Sequence, residues 1–285
     1  MKLNKKKYLM FLLVALLAIT SLVGCASNEG KPASAEGTEV GIGEDGKDNS
    51  EESKEDIELY ISAAASLTDA VDDLKELYQD KHPQVTLHTS YASSGDLQSQ
   101  IQEGAPSDVF ISAAQNQMDT LEEKGLLEDG TRETLLLNKV VLITPEGNDL
   151  GIESVDDLKD DNVEQIAIGD PAHVPAGQYT EEMLQNLKMW DSIETKLRLA
   201  TNVRSVLDWV ETGEVDAGFV YMTDAMTSDL VKVITEAPEA SHKEVSYPIA
   251  MIKDSRNKEA AEEFMDFASS DEAKEVLEGY GFTVK

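Results

Sequence analysis

The sequence predicts an α/β protein of two lobes joined by a hinge of two crossover segments. Three observations predict it. Short Val/Ile/Leu-rich segments alternate with amphipathic helical stretches along most of the chain, the pattern of mainly parallel sheets covered by helices. Residues 57–285 are numerous enough for two sizeable cores. Candidate crossings near Leu137–Lys139 and Tyr247–Ala250 divide this stretch into 57–138 plus 247–285 for one lobe and 139–246 for the other.

The front of the chain reads as a targeting segment, not as fold. Lys2, Lys5, Lys6 and Lys7 precede an apolar run from Tyr8 to Ile19, and Leu22-Val23-Gly24-Cys25 follows. Small residues before a cysteine after such a run suit signal-peptide cleavage. The run is short for a membrane span, which wants about 20 residues. Leu-Val-Gly-Cys resembles a lipobox, which implies removal of residues 1–24 and a lipid on the Cys25 sulfur. Cys25 is the only cysteine, so internal disulfides, thiolate metal clusters and cysteine nucleophiles are excluded. Residues 25–56 form an acidic stretch rich in Gly, Ser, Asn, Glu and Asp. It has too little apolar surface to offset its ordering entropy, and a flexible tether is expected.

The elements follow in order. Ile57–Ser62 reads as a strand, and Leu67–Asp80 as a helix with apolar residues at Leu67, Ala70, Val71, Leu74, Leu77 and Tyr78. Strands at Val85–Ser90 and Asp108–Ala113 are followed by helices, the first bracketing Asp96–Glu103 between them and the second at Gln115–Lys124. A new block opens with the strand Lys139–Thr144, ended by Pro145-Glu146-Gly147. A helix start at Val155–Lys159 comes next, then strand Gln165–Gly169, helix Ala176–Lys188, strand Leu197–Thr201, helix Val203–Thr212 and strand Ala217–Tyr221. Strands Val231–Ile234 and Val245–Ile252 and helices Lys258–Ala268 and Asp271–Glu278 close the chain.

The formal charge is −32, and −36 once the four lysines of the leader are removed. So acidic a chain does not suit nucleic acid or anionic lipid surfaces, and its few aromatics do not make a base-stacking platform. An anionic ligand is not excluded, because surface charge is screened within about 8–10 Å at physiological salt. With only Arg132, Arg198, Arg204 and Arg256 available, helix N-termini and hydroxyls would have to hold it.

Four strand-to-helix turns are built alike: around Ser66, around Ser94, at Pro175-Ala176-Gly177 and at Asn202-Val203-Arg204. The first N–H groups of each helix lack intrahelical partners and carry the positive end of its dipole. Singly, Ser66 and Ser94 read as plain N-caps, Ser66 with Asp69 as a capping-box variant. Together, with small residues around each turn, the four would make a cage of donors. Tyr221 by itself reads as a strand-end core tyrosine. The histidines, His82, His88, His173 and His242, are scattered without metal-ligand spacing, so no metal and no cofactor is expected.

Ala63-Ala64-Ala65-Ser66-Leu67-Thr68-Asp69-Ala70 resembles the opening of the molybdate-binding proteins of ABC importers. Tyr91-Ala92-Ser93-Ser94-Gly95, the run from Gly104 to Ala113, the run from Gly169 to Gly177, Tyr247-Pro248-Ile249-Ala250 and Tyr280-Gly281-Phe282 are similar to further hallmarks, in order over 57–285. The resemblance implies a type II periplasmic-binding-protein fold and a non-enzymatic role. It implies capture of molybdate or tungstate and delivery to a permease with its ATPase subunits. The protein would be a monomer held by its lipid on the outer face of the cytoplasmic membrane. It implies an oxyanion cage in which Ser66 and Ser94 give hydroxyl and backbone N–H, Ala176 and Val203 give backbone N–H, and Tyr221 gives its phenolic O–H. Some relatives carry a third hydroxyl residue after the second serine, where this chain has Gly95 and Asp96. Asp96 is expected to face outward. Sulfate or another small anion is the alternative ligand. A serine hydrolase built on Ser66 is a remote one, since the G-x-S-x-G setting is missing.

Overall fold

The computed structural model describes residues 56–285. The expected signal segment, Cys25 and the tether up to residue 55 lie outside the described residues. The first block comprises β1 (Ile57–Ala64), α1 (Thr68–Lys81), β2 (Val85–Ala92), α2 (Ser94–Gln102), β3 (Val109–Ile111), α3 (Gln115–Glu123) and β4 (Glu133–Asn138). The second comprises β5 (Val140–Pro145), β6 (Ile166–Gly169), α4 (Pro175–Asn186), α5 (Trp190–Ile193), β7 (Leu197–Ala200), α6 (Val203–Glu211), β8 (Ala217–Tyr221), α7 (Met222–Met226) and β9 (Val231–Glu236). Then β10 (Val245–Met251), α8 (Lys258–Ala268), α9 (Asp271–Gly279) and β11 (Thr283–Val284) complete the chain.

Two sheets result. One has the order β11-β4-β10-β3-β1-β2, the other β7-β6-β8-β5-β9. The chain leaves the first sheet after Asn138, enters the second at Val140, and returns between Glu236 and Val245. Tyr247–Ala250, expected at the return, already lies inside β10. The sheets are mixed, not mainly parallel. The β1 ladders with β2 and β3 are parallel, as are those of β6 with β7 and β8. The ladders made by β5 and β10 are antiparallel. The physical reason is that β5 and β10 enter straight from a crossing, with no covering helix to return the chain in the parallel sense.

Local pattern explains the layers. In α6, Val203, Val206, Leu207 and Val210 are buried, a stripe at i, i+3, i+4 and i+7 that faces the sheet. Strand β8 is buried throughout, as suits a strand covered on both faces. Each such aliphatic side chain contributes about 1.5–3 kcal/mol when fully buried. The parallel strands β1, β2, β6 and β7 all point their carboxyl ends at helix starts, and that is where the site lies.

Candidate functional site

The five residues singled out in the sequence line one small cavity. Its wall is made by residues 64–66 at the end of β1, 92–94 at the end of β2, Ala113 after β3, 174–176 at the start of α4, Asn202 and Val203 at the start of α6, and Tyr221 at the end of β8. Ser66, Ser94, Ala176, Val203 and Tyr221 are therefore neighbours although they are spread over some 155 positions of sequence. The cavity is tight, about 10 Å³, and no charged side chain lines it. Larger clefts behind the crossing and beside Arg256 gather no comparable set of helix starts.

Ser66 sits in a 3₁₀ turn, Ala65–Leu67, that separates β1 from α1, and neither it nor Leu67 caps a helix through its side chain. The expected capping box with Asp69 is therefore not formed. Ser66 Oγ lies 2.9 Å from Tyr247 Oη instead. At the second turn Ser93 is the cap, accepting from the Asp96 N–H at 3.1 Å. That releases Ser94, which is fully buried in the first turn of α2. Its Oγ accepts from the Ala113 N–H at 2.9 Å, so its own proton is left to point elsewhere.

The other two helix starts supply backbone donors. Pro175 opens α4 with its preset φ and no N–H to waste, and Val174 gives no side-chain cap, so the N–H groups that follow have no intrahelical partner. Gly177 is required here: a Cβ would stand 1.9 Å from the Gly169 carbonyl oxygen, so only glycine lets α4 start this close to the end of β6. Asn202 caps α6 by accepting from the Ser205 N–H at 2.9 Å, leaving the Val203 N–H at the helix mouth.

Tyr221 is 1% exposed, and among the described residues nothing hydrogen-bonds to its hydroxyl. Tyr247 is near, with ring centroids 5.7 Å apart, but its oxygen is engaged by Ser66 and Asn138. Burial, with the neighbouring Tyr247 phenol, pushes the Tyr221 hydroxyl well above the ordinary tyrosine range, so it keeps its proton and remains a donor. A buried hydroxyl without a partner costs about 1–3 kcal/mol, which marks it as waiting for one.

Further contacts join the blocks around the cavity. The Gly95 N–H donates to the His173 carbonyl at 2.9 Å. A Cβ on Gly95 would stand 2.4 Å from that oxygen and 2.8 Å from His173 Cα, which gives the physical reason for the missing third hydroxyl residue. On the other side, Arg204 of α6 places Nη2 2.6 Å from Asp69 Oδ2 of α1 and Nε 2.8 Å from Asp224 Oδ1 of α7. The Nε–H is not aimed at Asp224, so that pair is an ion pair without a hydrogen bond. Asp224 is fully buried, and burial holds its carboxyl up at about 6 despite Arg204. Arg204 follows Val203 in the fourth helix-start turn, and its two carboxylate partners, far off in sequence or across the next strand, are not legible from the sequence. Its charge is taken up by two carboxylates and it does not line the cavity.

Asp96 is half-buried and does not line the cavity. No histidine lines it either, so Ser66 has no base beside it for nucleophilic chemistry. His173 is exposed and contributes its carbonyl, not its ring. Among the described residues no group of three or more His, Cys, Asp or Glu is arranged to hold a metal ion.

Comparison with known proteins follows the same lines. The family described as bacterial extracellular solute-binding protein matches residues 59–283. The chain is 38% identical over 280 residues, 98% of its length and 99% of the relative's, to YvgL of Bacillus subtilis (strain 168), whose name includes the words ABC transporter substrate-binding lipoprotein. It is 41% identical over 231 residues, 80% of its length and 89% of the relative's, to the molybdate-binding protein ModA of Escherichia coli (strain K12). Among solved structures, the periplasmic molybdate-binding protein of Azotobacter vinelandii matches with a TM-score of 0.72 at 22% identity, over 80% of this chain and 99% of that one, a likeness of fold.

Proposed function

The chain belongs to the family of bacterial extracellular solute-binding proteins, and from that premise we propose that it binds molybdate, or tungstate, between its lobes and delivers the ion to an ABC importer. Ser66 and Ser94 donate through hydroxyl and backbone, Ala176 and Val203 through backbone N–H, and Tyr221 through its phenol. The observation that carries this reading is the cavity itself. Five separate chain segments bring hydroxyls and helix N-termini to one uncharged pocket, with a buried tyrosine hydroxyl still lacking a partner.

A hydrogen bond to a charged group contributes roughly 1.5–3 kcal/mol. About seven of them offset desolvation and closure and leave binding near −8 to −12 kcal/mol, submicromolar or better. The protein binds and releases without turnover. The proposed lobes are 57–138 with 245–285 against 139–244, the boundary moved to the start of β10. Closure over the ion presents a two-lobed surface that the permease distinguishes from the open form. The chain acts as a monomer outside the cytoplasmic membrane, held there by a lipid on Cys25. That anchor is supported by the lipobox-like Leu22–Cys25 and by the lipoprotein name of the Bacillus subtilis relative.

Calorimetric titration with molybdate, tungstate, sulfate and phosphate tests the reading. Submicromolar binding of molybdate and tungstate, weaker binding of sulfate and far weaker, still measurable binding of phosphate is expected. Tighter binding of sulfate than of molybdate would reassign the ligand, and no heat with any of the four would overturn the reading.

A further inference from the structure

Ser66 carries a hydroxyl that can donate or accept, so its direction in the cavity has to be set by something else. The chain of contacts behind it sets that direction. Lys139 has a backbone N–H, which can only donate, and it donates to Asn138 Oδ1 at 2.8 Å. The orientation of the Asn138 amide is thereby fixed, with Nδ2 facing Thr223 Oγ1 at 2.9 Å and Tyr247 Oη at 3.3 Å. An amide nitrogen accepts nothing, so Tyr247 Oη is the acceptor in that contact. The Tyr247 proton is then free for its other neighbour, Ser66 Oγ, 2.9 Å away, a contact in which either oxygen can donate. With Tyr247 as the donor, Ser66 accepts and its own proton is directed into the cavity it lines.

We propose that Asn138 is a positioning residue for protonation-state selectivity: through Tyr247 it fixes Ser66 as a donor toward the bound oxyanion. The inference rests on the oxyanion reading above and adds the means by which one hydroxyl is denied the role of acceptor. Ser94 is driven the same way by the Ala113 N–H. With one lone pair of each serine taken by an internal donor and its proton turned to the cavity, an oxyanion that carries a proton sets its O–H against donors at both serines. Asn138 lies where the chain leaves the first sheet, and its contact to Thr223 reaches α7 beyond the crossing, so the relay is assembled by the same segment that joins the lobes.

The test compares molybdate with hydrogen phosphate at about pH 8, where both are dianions, so a change of charge near the site weakens both alike and cancels in their ratio. In Asn138→Asp the carboxylate accepts from Tyr247, Tyr247 accepts from Ser66, and Ser66 turns a lone pair to the ion. Tyr247→Phe, which removes the link without adding charge, frees Ser66 to turn either way. In variants shown to be folded by their thermal transitions, the molybdate-to-phosphate affinity ratio is expected to fall at least about tenfold in Asn138→Asp and by a smaller factor in Tyr247→Phe. If Asn138→Asp does not fold, Tyr247→Phe alone decides. An unchanged ratio, even with both affinities lowered together, overturns the relay while leaving the oxyanion site standing. Wild-type protein that binds no tetrahedral oxyanion removes the reading beneath it.

Discussion

Replacing Tyr221 by phenylalanine separates binding from folding. The substitution deletes one oxygen and one proton from a side chain that is 1% exposed and leaves the ring, and its packing on Tyr247, in place. In the ligand-free chain that hydroxyl has no hydrogen-bond partner among the described residues, so its loss breaks no internal bond. Folding stability without ligand is expected to hold or to rise, by up to about 2 kcal/mol if the cost of the orphaned hydroxyl is recovered. Binding moves the other way. One donor to a dianion is lost, about 1.5–3 kcal/mol, which raises Kd by roughly 10- to 150-fold. Titration calorimetry with molybdate and denaturant unfolding of the free protein read the two effects. Unchanged affinity would take Tyr221 out of the site. A loss of more than about 1 kcal/mol of free-state stability would mean that the hydroxyl has an internal partner and is not held open for a ligand.

Two further substitutions follow from the contacts around the cavity. Gly95→Ala puts a Cβ against backbone atoms of His173 that cannot rotate away, 2.4 and 2.8 Å distant, so closure is obstructed. Molybdate affinity is expected to drop by at least about tenfold, with a more open liganded form in small-angle scattering. Wild-type affinity would show that the Gly95–His173 contact is not part of closure. Asp224→Asn tests the buried carboxyl. Its folded value, about 6, lies above the ordinary aspartate value of 3.8, so the folded form takes up the proton first. Its contribution to stability is fully present below the unfolded value and is lost as pH rises through about 6. Unfolding free energies of wild type and variant, compared near neutrality and near pH 4, should differ in pH dependence by on the order of 2 kcal/mol, with the wild type gaining on acidification. Equal pH slopes would contradict the raised carboxyl.

The alternation of strands and helices could be read from periodicity because most elements carry it clearly. Strand β4 could not, since Leu135-Leu136-Leu137 suits a buried helix as well as a strand and lacks β-branched residues to decide. The mixed sense of the sheets was hidden for a different reason. Direction depends on whether a helix intervenes before the next strand of the same sheet, and β5 and β10 arrive from the other sheet. At the site, helix starts are local events and the small-residue turns at Ser66, Ser94, Ala176 and Val203 announce them. Tyr221 needed the family resemblance, because a tyrosine at a strand end has no local mark of function. The Arg204 bridge to Asp69 and the Tyr247–Ser66 contact join residues 135 and 181 positions apart, and no spacing rule reaches that far. Gly95 shows the limit most directly. The sequence offers a glycine where relatives can have a hydroxyl, and only the approach of the His173 carbonyl explains it.

The charge of the chain bears on how the ion is held. A protein of formal charge −32 repels a dianion at a distance. In the proposed site the ion would meet helix N-termini and hydroxyls and no net charge, and the bridging Arg204 is offset by Asp69 and Asp224. The two stages respond to salt differently. The Debye length falls from about 30 Å at 0.01 M to about 8 Å at 0.15 M, so added chloride screens the repulsion felt during approach and leaves the closed cavity almost untouched. The association rate for molybdate is therefore expected to rise with ionic strength, and the dissociation rate to stay nearly flat. A site that recruited its anion with an exposed cation would behave oppositely, losing association rate as salt is added. Stopped-flow measurement of both rates in low and high chloride distinguishes the two by sign alone. A falling association rate would mean that a basic side chain faces the incoming ion, and the case for a cage built only of dipoles would not survive it.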